Sequence, residues 1–285
     1  MFVIAGVTGH VGGVAARELL AAKQPVKVIV RDQAKGKEWA ARSAEVAVGT
    51  LDDREFLTST LKGAKGFFTL LPPNYGAADF YADQRRTADA IAAAVKASGV
   101  PHVVILSSVG ADLAEGNGPI KGLHYLENVL RPTGTKLTSI RASYFQENLG
   151  NSVAPAKGQG IFPNFADKPD YPMPMIATKD IGKQVAHELL NPQPKSDNLD
   201  LLGPMYTMRQ AAETLGKALG KDLQIVNIPQ PDWIPALVRA GLSQQMAEIM
   251  AEMYTGFATG KITPKGDRTV QGTTQLDETI KEIAG

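Results

Sequence analysis

The stretch FVIAGVTGHVGGVAARELLAAK, residues 2–23, constrains the fold more than any other. A short apolar, β-branched run breaks into glycines and resumes as a helical pattern, with Val14, Ala15 and Leu19 toward one side. A strand that feeds a helix through so tight a turn is half of a strand–helix–strand unit. The alternation then continues. VKVIV reads as a second strand and AEVAVGT as a third, followed by a helix from Asp53 to Lys62. GFFTLLP is a fourth strand, and the long helix DFYADQRRTADAIAAAVKASG ends on Gly99 as a C-cap. HVVILSSVG and KLTSIRAS supply a fifth and a sixth strand. Strands separated by helices at this spacing predict an α/β fold with a doubly wound parallel sheet. Their nearly continuous apolar character fits strands covered on both faces.

Past Gly150 the pattern breaks. PAKGQGIFPNFADKPDYPMPM, residues 155–175, reads as loop. A helix, KDIGKQVAHELL, and a strand, NLDLLG, follow, and the tail from Thr207 reads as mainly helical. The expected organisation is a large domain over residues 1–150, to which 176–202 returns, and a smaller, partly interleaved α+β domain over 151–285. A chain of 285 residues with 44% hydrophobic content has the material for both. The formal charge of +1 gives no broad footprint for nucleic acid or an acidic membrane surface. The chain has no cysteine, so disulfides and thiolate chemistry are excluded. With no basic, apolar leader and no run near the ~18 apolar residues of a membrane span, a soluble cytoplasmic protein is expected.

GVTGHVG places Gly6, Gly9 and Gly12 at G-x-x-G-x-x-G spacing between strand and helix. Glycines let the backbone approach a pyrophosphate closely, and the helix N-terminus offers free N–H groups. Thr8, His10 and Val11 complete that loop, His10 through its backbone more than its ring. Arg31 stands nineteen residues after Gly12, at the end of the second strand. An acid at that position suits the ribose 2′-hydroxyl of NAD, whereas an arginine fork matches the 2′-phosphate of NADP. Lys35 would add a second positive charge; Asp32 could still face the ribose. The expected cofactor is NADP(H), with NAD(H) possible.

Taken with VRDQAK, LSSVGA, IRASYFQEN, ATKDIGKQVAHELL and LDLLGPMYTMRQAAETLGKALGK, in this order and spacing, the glycine motif resembles the NmrA-like branch of the atypical short-chain dehydrogenases. The resemblance implies a Rossmann domain, a small C-terminal substrate domain and NADP(H) in the cleft between them. It implies that Ser107 and Ser108, ending the fifth strand, and Leu71 and Pro72, ending the fourth, border the cofactor. A structural role capping the backbone would equally explain Ser107. The family divides into reductases and non-catalytic redox sensors that regulate a protein partner. This chain is most similar to the bacterial quinone and triphenylmethane-dye reductases, which implies a small aromatic or quinone-like substrate.

KGLHYLENVL, residues 121–130, lies where short-chain reductases keep a tyrosine–lysine pair, but Val129 stands where the lysine would be four residues after Tyr125. Similar NmrA-like enzymes carry Lys or His four residues before a helix Glu. Anchoring on Glu127 gives Leu123 instead, with His124 one position off. At helical periodicity Lys121, His124, Tyr125 and Asn128 share one face, opposite Leu123, Leu126 and Leu130. The polar face either looks into water or places His124, Tyr125 and Lys121 as proton donor and substrate contacts. A quinone accepts hydride readily and its reduced oxyanion is weakly basic, so such a site needs mainly orientation. Tyr144 and Phe145 could flank nicotinamide and acceptor, or be core. The stripe Met246, Ile249, Met250, Met253 and Phe257 and the nearby Trp233 fit either an adaptable aromatic pocket or plain core. His102 is expected to face solvent, and HELLN at His187 lacks the second histidine of a zinc site.

Overall fold

The computed structural model describes residues 1–166 and 168–285. β1 (Phe2–Ile4), α1 (His10–Ala21), β2 (Val26–Val30), α2 (Gln33–Ala41), β3 (Glu45–Val48), α3 (Arg54–Leu61), β4 (Gly66–Thr69), α4 (Phe80–Ser98), β5 (His102–Ser108), α5 (Ile120–Leu130) and β6 (Lys136–Ala142) alternate along the chain. Then follow β7 (Tyr144–Phe145), α6 (Val153–Gln159), β8 (Ile161–Asn164), β9 (Met173–Ile176), α7 (Thr178–Leu190) and β10 (Asp197–Leu202). The chain closes with β11 (Met205–Tyr206), α8 (Met208–Leu219), β12 (Gln224–Asn227), α9 (Trp233–Arg239), α10 (Gln244–Ala258), β13 (Arg268–Gln271) and α11 (Leu276–Ala284).

Eight strands form one sheet in the order β13-β10-β6-β5-β4-β1-β2-β3. Every pairing in it is parallel. The order reverses between β1 and β4, so the crevice for a ligand opens beyond the C-terminal ends of those two strands. One face of the sheet carries a core with Val11, Ala15 and Leu19 of α1 and Ile181, Val185 and Leu189 of α7. The other buries Leu57 of α3, Ile91 and Val95 of α4, and Leu126 and Leu130 of α5. Helices on both faces explain why the strands read as unbroken apolar runs. Gly99 ends α4 in the left-handed conformation, φ 66°. No helix among the described residues is long and apolar enough to cross a membrane.

Three expectations are corrected. Residues 155–175 are not all loop: they hold much of α6, all of β8 and the first three residues of β9. Pro163 and Pro174 hid the strands, since proline cannot donate to a ladder. They are tolerated because β8 pairs only with β12, and Pro174 lies beside β11 but outside the stretch of β9 that pairs with β7. The tail contributes β13 to the edge of the large sheet, parallel to β10, although RTVQ is too short to stand out. His102 is buried, 3% exposed, with Nε2 3.2 Å from the Thr138 hydroxyl. It starts a central strand rather than preceding one, and desolvation, then Lys136, lowers its pKa to about 4.

The sequence reading also passed over α2. Gly36 looks like a breaker there, but a side chain at 36 would meet Val46 Cγ1 at 2.5 Å. The glycine lets α2 lie close on β3, with Trp39 buried beneath it.

Candidate functional site

The glycine loop is built for a backbone–phosphate approach. Gly6 has φ +66°, a conformation that side-chain-bearing residues rarely adopt, and a Cβ there would come 2.6 Å from Leu70 Cδ2 at the end of β4. A Cβ on Gly12 would stand 2.4 Å from the Ala5 carbonyl, so only glycine lets α1 start so close to β1. Gly9 N-caps α1 without any side-chain cap, and no acidic residue stands in the first turn. The first N–H groups therefore point outward with the positive end of the helix dipole, and Thr8, Gly9 and His10 are exposed around them while Val11 anchors in the core. The residues present fit a pyrophosphate.

The loop after β2 holds the residues expected to meet the nucleotide's ribose end. Arg31 is exposed at the end of β2 and has no ion-pair partner among the described residues. Asp32, which could have faced a ribose, instead caps α2 by accepting from the Ala34 N–H at 2.8 Å. One carboxylate oxygen is thereby used locally as a helix cap. Arg31 and Lys35, exposed in the first turn of α2, remain as the charged groups open to a ligand at that corner.

Along the rim, Leu71 is buried and Pro72 exposed directly after β4. Ser107 is buried and donates to Glu127 Oε1 at 2.7 Å. Glu127, 2% exposed, also receives Arg141 Nε at 3.0 Å and Nη2 at 2.7 Å. A bidentate fork and a hydroxyl thus compensate the carboxylate taken from water. Ser108 donates to the Val109 carbonyl at 3.0 Å. Close to Arg141, burial pushes the Asp200 carboxyl above its usual range, against the lowering effect of the Gly266 N–H and Arg141. In the sequence Glu127 stands out only as the helix glutamate of the family motif. Its signal was present: a charged residue beside Leu123, Leu126 and Leu130 on the helix, with an arginine in the apolar run of β6 as partner.

The polar face of α5 gathers as expected, but toward α4. Lys121, His124 and Tyr125 line a recess of ≈ 200 Å³ with Tyr81 and Arg85. Lys121 Nζ lies 5.2 Å from the centre of the Tyr81 ring. The Tyr125 hydroxyl donates to Asp89 at 2.8 Å. His124 Nδ1 is 2.8 Å from the Ala111 carbonyl and Nε2 is 2.9 Å from Asn128 Nδ2, which assigns the ring proton to Nδ1. Both imidazole nitrogens and the Tyr125 hydroxyl are thereby engaged in hydrogen bonds.

The two aromatics after β6 part company. Phe145 packs against the core that contains α1 and α7, whereas Tyr144 packs against Leu149, Phe162 and α8. Alternation along β7 sends them to opposite sides. Burial, then the neighbouring Tyr254, holds the Tyr144 pKa well above the ordinary phenol range. Trp233 is buried, 3% exposed, with its indole N–H on the Ile228 carbonyl at 2.9 Å and its ring edge-on to Tyr254 at 5.6 Å. Met246 and Ile249 form core with Phe80, while Phe257 is 42% exposed, so the stripe is only partly core. Tyr254, which the sequence reading did not single out, lies between Trp233 and Phe165.

A model of the NmrA-like family matches residues 1–282. The NAD(P)H azoreductase of Xenophilus azovorans is 26% identical over 258 residues, covering 89% of this chain and 86% of that protein. Quinone oxidoreductase 2 of Escherichia coli (strain K12) is 26% identical over 263 residues, covering 91% and 89%. The crystal structure of the Citrobacter sp. triphenylmethane reductase complexed with NADP(H) superposes with a TM-score of 0.83 at 20% identity, covering 99% of this chain and 100% of that one.

Proposed function

The chain belongs to the NmrA-like family, and from that premise we propose that it is an NADPH-dependent reductase that delivers hydride to a quinone or similar conjugated acceptor. The observation that carries the cofactor half of this reading is the division of labour at the end of β2: Asp32 is tied to the α2 N-terminus and Arg31 is left open. That is the charge pattern a 2′-phosphate needs and a bare ribose does not. The azoreductase and the quinone oxidoreductase support the reaction class, because each is named for reducing a conjugated acceptor.

Bound NADPH supplies the hydride; the protein supplies position. The N–H groups of the α1 N-terminus and the close backbone at Gly6 and Gly12 hold the pyrophosphate, and Arg31 with Lys35 holds the 2′-phosphate. Leu71, Pro72, Ser107 and Ser108 border the ring end of the crevice, with the Ser107 hydroxyl fixed by Glu127. With Val129 in place of a lysine and His124 and Tyr125 engaged elsewhere, a simple ketone would lack an acid to protonate its alkoxide. A quinone does not need one, since its reduced oxyanion is a weak base that water protonates.

The test is consumption of NADPH, with NADH in parallel, against a panel of quinones, azo dyes and cationic triphenylmethane dyes. Turnover with at least one acceptor and a preference for NADPH is expected. Tight NADPH binding without turnover of any acceptor would overturn the reductase reading in favour of a cofactor-binding regulator.

A further inference from the structure

Tyr81 and Arg85 lie in the first two turns of α4, and Lys121, Gly122, His124 and Tyr125 in the first two turns of α5. All six line one recess of ≈ 200 Å³ between the two helices. Gly122 lets the helices come this close, because a Cβ there would collide with the buried Gln84 side chain of α4. None of the residues assigned to the cofactor lines this recess.

Most polar groups of the recess are already engaged. The Tyr81 hydroxyl donates to the Gly118 carbonyl at 3.2 Å and the Tyr125 hydroxyl to Asp89 at 2.8 Å. His124 is bonded at both ring nitrogens. These three rings are tethered walls. The two cations are not so tied. Among the described residues, neither Arg85 nor Lys121 has a carboxylate or hydrogen-bond partner; on α4, Asp83 pairs with Arg86 and Asp89 accepts from Tyr125. Lys121 is held by the Tyr81 ring, with Nζ 5.2 Å from its centre. No acidic side chain lines the recess. Two positive charges and three aromatic rings thus share a cavity that holds no counter-charge.

We propose that this recess binds a small aromatic carboxylate, its ring against Tyr81 and Tyr125 and its carboxylate on Arg85 and Lys121. The size agrees: a cavity of roughly 150 Å³ holds one benzene ring, and this recess has room for a carboxylate as well. The chemistry agrees too. Hydrogen bonds from a guanidinium or an ammonium to a carboxylate are charge-assisted, and ring-on-ring contact adds to them. Arg85 is exposed and Lys121 half-buried, so the charge pairing is open to screening by salt. A neutral analogue loses both cations, and an aliphatic acid loses the walls. The site goes beyond the reductase reading and does not rest on it.

The experiment titrates benzoate calorimetrically into the full chain, both free and saturated with NADP⁺, with benzamide and acetate as controls. Benzoate should bind at a single site with the same affinity in both states, and benzamide and acetate about tenfold more weakly or worse. Arg85→Met and Lys121→Met should each weaken benzoate binding about three- to tenfold, with thermal unfolding confirming the fold of each variant. Rising salt should weaken benzoate binding and leave benzamide unaffected. No benzoate binding at millimolar concentration, or equal binding by wild type and the double variant, would sink the proposal. So would loss of benzoate binding on saturation with NADP⁺, since that would put benzoate in the cofactor crevice. Every readout is independent of turnover, so a failure here leaves the reductase reading standing, and a failure of that reading leaves these results standing.

Discussion

At the scale of single residues, the decisive fact is which side chains are already engaged. Arg31 and Asp32 are adjacent, and their roles separate only because Asp32 closes the N-terminus of α2. Arg31→Ala should weaken NADPH binding by roughly 10- to 100-fold while changing NADH binding little, the difference expected from losing charge-assisted bonds to a phosphate. Titrations of both nucleotides check it; equal loss for the two would place Arg31 outside the 2′-phosphate site. His102 provides a pH prediction. Its folded pKa of about 4 lies below the ordinary value of 6.5, so the unfolded chain binds the extra proton first. Its contribution is fully present above pH 6.5 and is lost as pH falls toward 4, by up to ~3 kcal/mol. Denaturant midpoints across that range should fall less steeply for His102→Gln than for wild type. Glu127 is buried and holds the buried Arg141 in a bidentate pair. Glu127→Gln would leave Arg141 buried without its counter-charge and should lower unfolding free energy by about 3 kcal/mol or more.

At the scale of elements, the readable parts were those whose local signals agreed with their packing. α4 carries an Asp79 cap, a regular apolar stripe and Gly99 at its end, and it forms over the span those signals mark. α2 carries a glycine in its middle and was passed over, because the reason for Gly36 is a strand brought beside it by the fold. The same logic governs the packing of α1 on α7. A Cβ at Gly182 would meet Val14 Cβ at 2.5 Å and the Val11 carbonyl at 2.7 Å. Gly182→Ala should therefore destabilise the protein by about 1–3 kcal/mol and, by shifting the helix whose N-terminus faces the crevice, weaken NADPH binding as well. An unchanged melting temperature would mean that the two helices separate without cost.

At the scale of the whole molecule, the last strand and helix are tied back to the sheet by buried carboxylates. Asp180 of α7 accepts the N–H groups of Thr273 and Thr274 at 2.9 and 2.8 Å and the Thr274 hydroxyl at 2.8 Å. Glu188 and Asp197 grip Arg268 of β13. Asp180→Ala would strand two N–H groups and should open the segment after β13, raising tryptic cleavage at Lys281 well before global unfolding. A cleavage pattern identical to wild type would show that β13 and the hydrophobic face of α11 hold that segment unaided. These ties, rather than any local propensity, return the end of the chain to a sheet begun at residue 2.

The sequence alone determined the parallel sheet, its first six strands and the glycine loop, because strand period, cap residues and turn glycines act within a few neighbours along the chain. It also placed an arginine, Arg31, directly after the second strand. Only the tertiary structure decided that Asp32 caps α2, that His124 and Tyr125 bond toward α4 and Ala111, that His102 is core, and that Phe165 meets Tyr254 from a distant segment. Those outcomes depend on which groups compete for one partner or one desolvated space, and that competition exists only once distant segments are packed together.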